Sequence, residues 1–320
     1  MKRFRKILLV CDRESEHDEL LARAISLAKS NDAQVTLIDP VESEPGELSA
    51  VFAALPGARG QEVEMELLNF HRARLSAIAA SVTAQGIETR TLVPQGVAFI
   101  EIIREVLRGG HDLVMKGAAG DRSDWPQLFG STDLHLLRKC PCPVWIMKKG
   151  AKSGYARVLA AVDPDPMDDQ KSALDRLVLD LATSLSEMDG SELHIVHAWR
   201  LVGEESFRYS AFLRSSEAEI ERLLDEEEGR HRSRLDAVLE GYQIADRRSR
   251  VHLLKGDAGW LIPELARDTG ADLIVMGTVG RTGISGFFIG NTAETILGHV
   301  DCSVLAVKPP GFRTPVRLDD

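Results

Sequence analysis

The sequence is poor in cysteine, in positive charge and in long apolar runs. Its 320 residues contain four cysteines, too few for a disulfide framework, so we expect a reducing compartment, the cytoplasm. Lysine and arginine number 39 against 49 aspartates and glutamates, and the net charge of −10 disfavours nucleic acid and anionic membranes as partners. No stretch approaches the roughly 18 apolar residues of a membrane span, so no membrane insertion is expected.

Two copies of one pattern organise the chain. HDLVMKGAAG, which starts at His111, matches ADLIVMGTVG, which starts at Ala271, and the offset of 160 residues continues without a gap through the following segment. Paired glycines mark backbone positions with special conformational needs. The pairs are Gly110 and Gly270, Gly117 and Gly277, Gly120 and Gly280, Gly130 and Gly290. The repeat predicts two domains, residues 1–150 and 151–320, joined by the short polar stretch 148–157.

Each half alternates short apolar strands with longer amphipathic helices. The predicted strands are 6–11, 34–38, 89–93, 112–116 and 143–147, then 158–162, 193–198, 251–254, 273–276 and 304–307. This alternation predicts an α/β fold in which helices cover both faces of a parallel sheet. Ligands of such sheets bind beyond the carboxyl ends of the strands.

The most informative segment starts at Gly277 and reads GTVGRTGISGFFIGNTAETIL. Gly280 follows after two residues and Gly290 after nine more, and next come Asn291 and Thr292. Glycines after a strand let backbone N–H groups converge on an anion, and Asn291 has the spacing of a helix-capping box. A helix that begins here would offer unpaired N–H groups to a phosphate. The alternative is a tight turn with no ligand.

The spacing G-x2-G-x9-G, between a strand of the type DLIVMG and one of the type CSVLAVK, resembles the universal stress protein family. The ending AAVD of the first strand and the terminal TPVRLDD resemble its tandem-domain type, and the resemblance covers both halves. It implies two tandem flavodoxin-like or Rossmann-like domains, each with a five-stranded parallel sheet flanked by helices. It also implies a non-enzymatic, cytoplasmic role in surviving stress.

The resemblance further implies ATP as a ligand of the second domain, because some family members bind it. The residues carried over are Asp163 for the base and ribose, Gly277 and Gly280 for the nucleotide loop, and Gly290, Asn291 and Thr292 for the phosphates. Mg²⁺ would accompany the nucleotide at Asp163, and no catalytic residue is implied. Asn291 departs from the serine or threonine usual in ATP-binding members, and its larger side chain changes the geometry at the phosphates.

Two other functions stay open at this point. One is a weak ATPase or phosphotransferase, although the sequence shows no convincing set of a base and metal ligands for it. The other is a binder of a different small or lipid-like molecule, which the apolar loop 284–289 would serve.

The first repeat keeps the glycine spacing from Gly117 to Gly130 but changes the loop between them. Asp121 and Asp124 put negative charge close to any phosphate, so we expect a degenerate nucleotide loop in the first domain. Lys116, at the end of the fourth strand, is expected to face solvent, and contact with an anion is the alternative.

Other polar residues have simpler interpretations. Cys140 and Cys142 are too few ligands for a zinc site. The acidic stretch DPDPMDD, from Asp163, is expected to cap the following helix. His194 and His197 are expected to serve the core or an interface.

The last strands of the two repeats, 143–147 and 303–307, are apolar edges. Single-domain relatives dimerise through such strands, so the resemblance implies an intramolecular pseudo-dimer of the two domains, with a further homodimer as an additional option. Pairing these strands would hide two edges that otherwise invite aggregation.

Overall fold

The computed structural model describes residues 4–12, 18–41, 59–119, 128–151, 154–204, 216–242, 249–278 and 289–318. The first half contains five strands: β1 Lys6–Val10, β2 Gln34–Ile38, β3 Thr89–Leu92, β4 Leu113–Gly117 and β5 Val144–Met147. Its helices are α1 Asp18–Asn31, α2 Arg59–Thr83, α3 Ala98–Gly109 and α4 Ser131–Lys139. Strands and helices alternate along this half, as its sequence pattern predicts.

The second half repeats this order. Its strands are β6 Arg157–Ala161, β7 Glu192–Trp199, β8 Ser249–Lys255, β9 Leu273–Gly277 and β10 Ser303–Val307. Its helices are α5 Asp169–Asp189, α6 Glu217–Leu239, α7 Ala258–Thr269 and α8 Asn291–His299. The predicted helix from about residue 206 is observed only from Glu217, where Ser216 accepts the N–H of Glu219 and begins it, and residues 205–215 lie outside the described ranges.

The ten strands form one sheet in the order β3-β2-β1-β4-β5-β10-β9-β6-β7-β8. Each half contributes five parallel strands, which confirms the predicted fold. The halves meet where β5 pairs antiparallel with β10, with Trp145 opposite Leu305. The last strands therefore pair with each other, as the sequence predicts.

The junction between the halves is tightly packed around Trp145, which is fully buried. Its indole N–H donates to the Tyr155 hydroxyl at 3.1 Å, and the Arg23 guanidinium lies 5.0 Å from its ring centroid. Arg23 belongs to α1 of the first half and pairs at 2.6 Å with Asp189 at the end of α5 in the second. Aromatic packing and a buried ion pair thus reinforce the strand pairing.

Apolar side chains fill the space on both faces of the sheet. One core cluster includes Ile7, Leu9 and Trp145, and the other includes Leu8, Val10 and Ile146. Neighbouring residues of the central strands therefore point to opposite, equally buried faces, which explains the apolar runs of β1 and β5. In the described ranges, no helix has the length and apolar character needed to cross a membrane.

Candidate functional site

The sheet brings several of the predicted site residues to one edge of the second domain. Ala161 of β6 lies beside Met276 of β9, so Asp163, two residues further on, lies level with Thr278. The backbone N–H of Gly290 donates to the Thr278 carbonyl at 3.0 Å. Asp163 and Gly290 therefore flank the same residue at the carboxyl end of two adjacent parallel strands, which lie about 4.8 Å apart.

Asp163 presents an exposed carboxylate beside one lysine. Its Oδ2 lies 2.6 Å from Nζ of Lys171, and its backbone N–H donates to Oδ1 of Asp175 at 2.9 Å. Burial raises the pKa of Asp175 to about 6. Asp168 begins α5 by accepting the N–H groups of Gln170 and Lys171, which confirms the capping role predicted for this acidic stretch. The strand end thus combines a fixed backbone with an accessible negative charge.

Gly277 ends β9 and has a packing role. A Cβ atom at this position would lie 2.6 Å from Cδ2 of Leu174 on α5. The absence of a side chain therefore lets α5 approach the sheet. This contact is an alternative reason for the glycine, independent of any nucleotide. Gly280, the next predicted loop residue, lies outside the described residues.

Helix α8 begins at Gly290, as the sequence predicts, but the predicted capping box is wrong. Gly290 itself occupies the capping position with φ −64° and ψ 140°, and no side chain caps the helix. Asn291 and Thr292 are its first two residues and are exposed. Glu294 pairs with Arg138 of α4 instead of reaching back to the helix start. The exposed helix start consists of backbone and two small polar side chains.

A buried lysine lies behind this edge. Lys308 follows β10 and donates from Nζ to the Leu137 carbonyl at 2.6 Å and to the Thr278 hydroxyl. Burial lowers its pKa to about 7. Leu137 lies in the last turn of α4, whose carbonyl end favours a positive charge. Lys308 thus connects the second domain's site edge to a helix of the first domain.

Two histidines meet at the end of β7. His197 lies 3.2 Å through Nδ1 from the Val162 carbonyl and 2.8 Å through Nε2 from Nδ1 of His231. His231 stacks on Trp199 and pairs through Nε2 with Glu227 at 3.3 Å. Burial lowers the pKa of both histidines. His197 is buried, which confirms the predicted core role.

Sequence reasoning missed His231, although the repeat carried a signal for it. His71 precedes His231 by 160 residues, and each contacts a polar residue at or near the carboxyl end of its domain's second strand. In the first domain this residue is Asp39, whose Oδ2 lies 2.6 Å from Nδ1 of His71, and in the second it is His197. The helix histidine therefore contacts the second strand in both domains, with an aspartate as its partner in the first domain and a histidine in the second.

The first domain corrects one prediction. Lys116 does not face solvent: it is 1% exposed and lies between Asp12 and Asp133. Burial lowers the pKa of Lys116, but the two carboxylates more than offset this effect, so the pKa lies above its usual value. Gly117 ends β4 and Gly130 begins α4, whereas Asp121 and Asp124 lie outside the described residues.

The cysteines are free thiols. The Sγ atoms of Cys140 and Cys142 lie 3.6 Å apart, and Cys140 is fully buried. Among the residues that the structure describes, no three His, Cys, Asp or Glu side chains are grouped as metal ligands. The structure therefore offers no cluster that could bind a metal ion by itself in these ranges.

The sequence profile of the Universal stress protein family matches the chain twice, over residues 3–148 and 154–308. The chain belongs to the universal stress protein family. Universal stress protein E of Escherichia coli strain K12 is 35% identical to it over 223 residues, 69% of this chain and 68% of that protein. Universal stress protein E of Photorhabdus laumondii is 26% identical over 99% of both chains.

Solved structures of similar fold span nearly the whole of this universal stress protein. A protein of unknown function from Pseudomonas aeruginosa PAO1 has a TM-score of 0.73 at 24% identity, covering 96% of this chain and 94% of its own. A universal stress protein from Archaeoglobus fulgidus has a TM-score of 0.59 at 18% identity, covering 94% and 98%. Both structures share the fold of this chain. The match of the family profile confirms the family resemblance read from the sequence.

Proposed function

We propose that this universal stress protein is a cytoplasmic, non-enzymatic stress-response scaffold whose second domain senses an adenine nucleotide, ATP. The observation that carries the proposal is that Asp163 and the start of α8 flank Thr278 at one edge of the sheet. A carboxylate at a strand end suits ribose hydroxyls, and a helix start suits phosphates. The second domain thus offers both kinds of contact within the reach of one nucleotide.

Mg²⁺ fits this arrangement only together with the nucleotide. Magnesium at nucleotide sites uses one or two carboxylates plus phosphate oxygens and keeps several waters. Asp163 supplies one exposed carboxylate, and the remaining ligands would be phosphate oxygens of the nucleotide and water molecules. We therefore assign Asp163 as the residue that would hold the ion beside bound ATP.

The geometry favours binding over hydrolysis. Phosphoryl transfer to water needs a group that positions and activates the attacking water. Among the described carboxylates at this edge, Asp163 is assigned to the ribose and the ion, and Asp175 accepts the backbone N–H of Asp163 at 2.9 Å. This arrangement supports a ligand-sensitive scaffold.

The test is a calorimetric titration of the full chain with Mg·ATP, and the two repeats supply a matched pair of variants. Asp163→Asn keeps the size of the side chain and removes its charge, so we expect ATP affinity to fall about tenfold, or 1.4 kcal/mol. Asp12→Asn makes the same change in the first domain, where Asp12 lies two residues after β1 as Asp163 lies two residues after β6, and it should leave ATP affinity unchanged. Folding of each variant is checked by circular dichroism.

Other outcomes would point to other functions. Equal loss of affinity in both variants would contradict the assignment to the second domain. Catalytic release of inorganic phosphate from ATP by the unsubstituted protein would favour an ATPase function. No binding of ATP, together with another molecule that co-purifies in native mass spectrometry, would favour a different small or lipid-like ligand.

A further inference from the structure

A buried cluster of three charges closes the carboxyl edge of the first domain. Nζ of Lys116 lies 2.9 Å from Oδ1 of Asp133 and 3.2 Å from Oδ2 of Asp12. Lys116 and Asp133 are 1% and 0% exposed, whereas the Asp12 side chain keeps a quarter of its surface in water. Burying charges is costly unless each is paired and hydrogen-bonded, so the cluster needs good geometry to persist.

The second oxygen of Asp133 supplies that geometry. Oδ2 accepts the backbone N–H of Gly130 at 2.9 Å and that of Ala119 at 3.2 Å. Gly130 begins α4, and Ala119 follows β4 on the other side of the loop. A lysine and converging backbone N–H groups at a helix start form the set of donors that binds a phosphate or carboxylate from solution. Here that set encloses a carboxylate of the chain itself.

The second repeat provides an internal comparison. At the offset of 160 residues, Lys116 corresponds to Met276, and Asp133 corresponds to Ala293. Both partners of the ion pair are therefore absent together from the second domain. There the N–H that corresponds to that of Gly130 donates to a backbone carbonyl.

We propose that Asp133 is a built-in anionic ligand of the first domain, which occupies the position of an external anion between Lys116 and the start of α4. The pair of Lys116 and Asp133 then closes this edge of the first domain to anions from solution. The donors of Lys116, Gly130 and Ala119 are therefore satisfied in the first domain without a bound solute. This inference concerns the first domain and is independent of whether the second domain binds ATP.

The test removes the internal anion and supplies a small external one to the full chain. Asp133→Ala leaves Lys116 and two N–H groups facing a space the size of a carboxylate. Because one partner of a buried pair is lost, we expect the melting temperature to fall by about 10 °C. Sodium formate should restore at least half of that loss in a saturable manner, whereas sodium chloride at equal ionic strength should not.

The double variant Lys116→Met with Asp133→Ala is the matched control, because it installs the residues of the second domain. It should be more stable than Asp133→Ala and indifferent to formate. Equal rescue of both variants by formate would overturn the proposal, and so would a lack of rescue in Asp133→Ala.

A second variant covers the case in which Asp133→Ala does not fold in chloride. Folding in formate alone would support the proposal directly. If Asp133→Ala is insoluble in both salts, Asp133→Ser decides, because serine keeps one acceptor for the N–H groups and leaves room for formate. Specific rescue of the serine variant would support the internal ligand, and no rescue would overturn it.

Discussion

Lys148 and Lys308 occupy the same place in the two repeats and have different surroundings. Lys148 pairs with the carboxylate of Asp301 at 2.7 Å, and its side chain is 37% exposed. Lys308 is buried and donates to oxygens of Leu137 and Thr278. The same position therefore carries a partly exposed lysine in the first domain and a buried lysine with a lowered pKa in the second.

The buried lysine should make stability depend on pH. The folded pKa of Lys308 is about 7, below the ordinary value of 10.5, so between these values the unfolded chain binds a proton that the folded chain lacks. The free energy of unfolding therefore rises with pH in this window, by roughly 2 kcal/mol from pH 7 to 9. Lys308→Met should lose this contribution, as measured by urea unfolding at both pH values.

Lys148→Met is the control for this measurement. It removes an exposed lysine whose pairing contributes little, about 0–1 kcal/mol, and should keep the parent's pH dependence. The same loss of pH dependence in both variants would show that the burial of Lys308 is not its cause.

Among the elements, β5 and β10 determine how the two halves join. Their antiparallel pairing turns two edges into the centre of the sheet, and Trp145 packs against it from β5. The indole also donates to Tyr155 in the segment before β6 and lies under Arg23 of α1, so this side chain contacts both halves. We expect this residue to dominate the energetics of the junction.

Trp145→Ala should therefore lower the free energy of unfolding by about 3–5 kcal/mol, because loss of a fully buried aromatic side chain leaves a cavity. Trp260→Ala is the control, since Trp260 on α7 is 60% exposed and its removal should change stability by less than about 1 kcal/mol. Chemical unfolding followed by circular dichroism measures both. Similar losses for the two variants would contradict the central role of the junction.

Elements are also the level at which sequence prediction succeeds. Strand β2 is observed at the predicted residues, 34–38, because its apolar residues Val35, Leu37 and Ile38 are buried in the sheet. The sequence predicts the start of α8 correctly but not its cap, because Gly290 occupies the capping position and Asn291 is already the first helical residue. The burial of Lys116 was missed because its partner Asp12 is far away in the sequence, although comparison of the repeats exposes the matched charges of Lys116 and Asp133.

For the whole molecule, the paired last strands predict the behaviour of separated halves. Residues 1–150 and 151–320, expressed separately, would each expose the edge that β5 or β10 covers in the full chain. Exposed apolar edges pair with other chains, so each half should dimerise or aggregate more than the full chain at equal concentration. Light scattering after size exclusion measures this difference.

The mixed halves provide the complementary observation. On mixing, they should form a one-to-one complex, because the native junction adds the Arg23–Asp189 ion pair and the Trp145–Tyr155 hydrogen bond to the strand pairing. Two stable monomeric halves that do not associate would contradict the internal pairing.

The antiparallel pairing of β5 with β10 has a consequence for dilution. Two domains on one chain meet at a local concentration fixed by their linker, so their association does not weaken when the protein becomes scarce. In a dimer of identical chains every substitution appears twice, whereas here the Lys116 and Asp133 pair appears on one side only. The chain can therefore keep one domain with this internal ion pair and one without it in fixed one-to-one proportion at any cellular abundance.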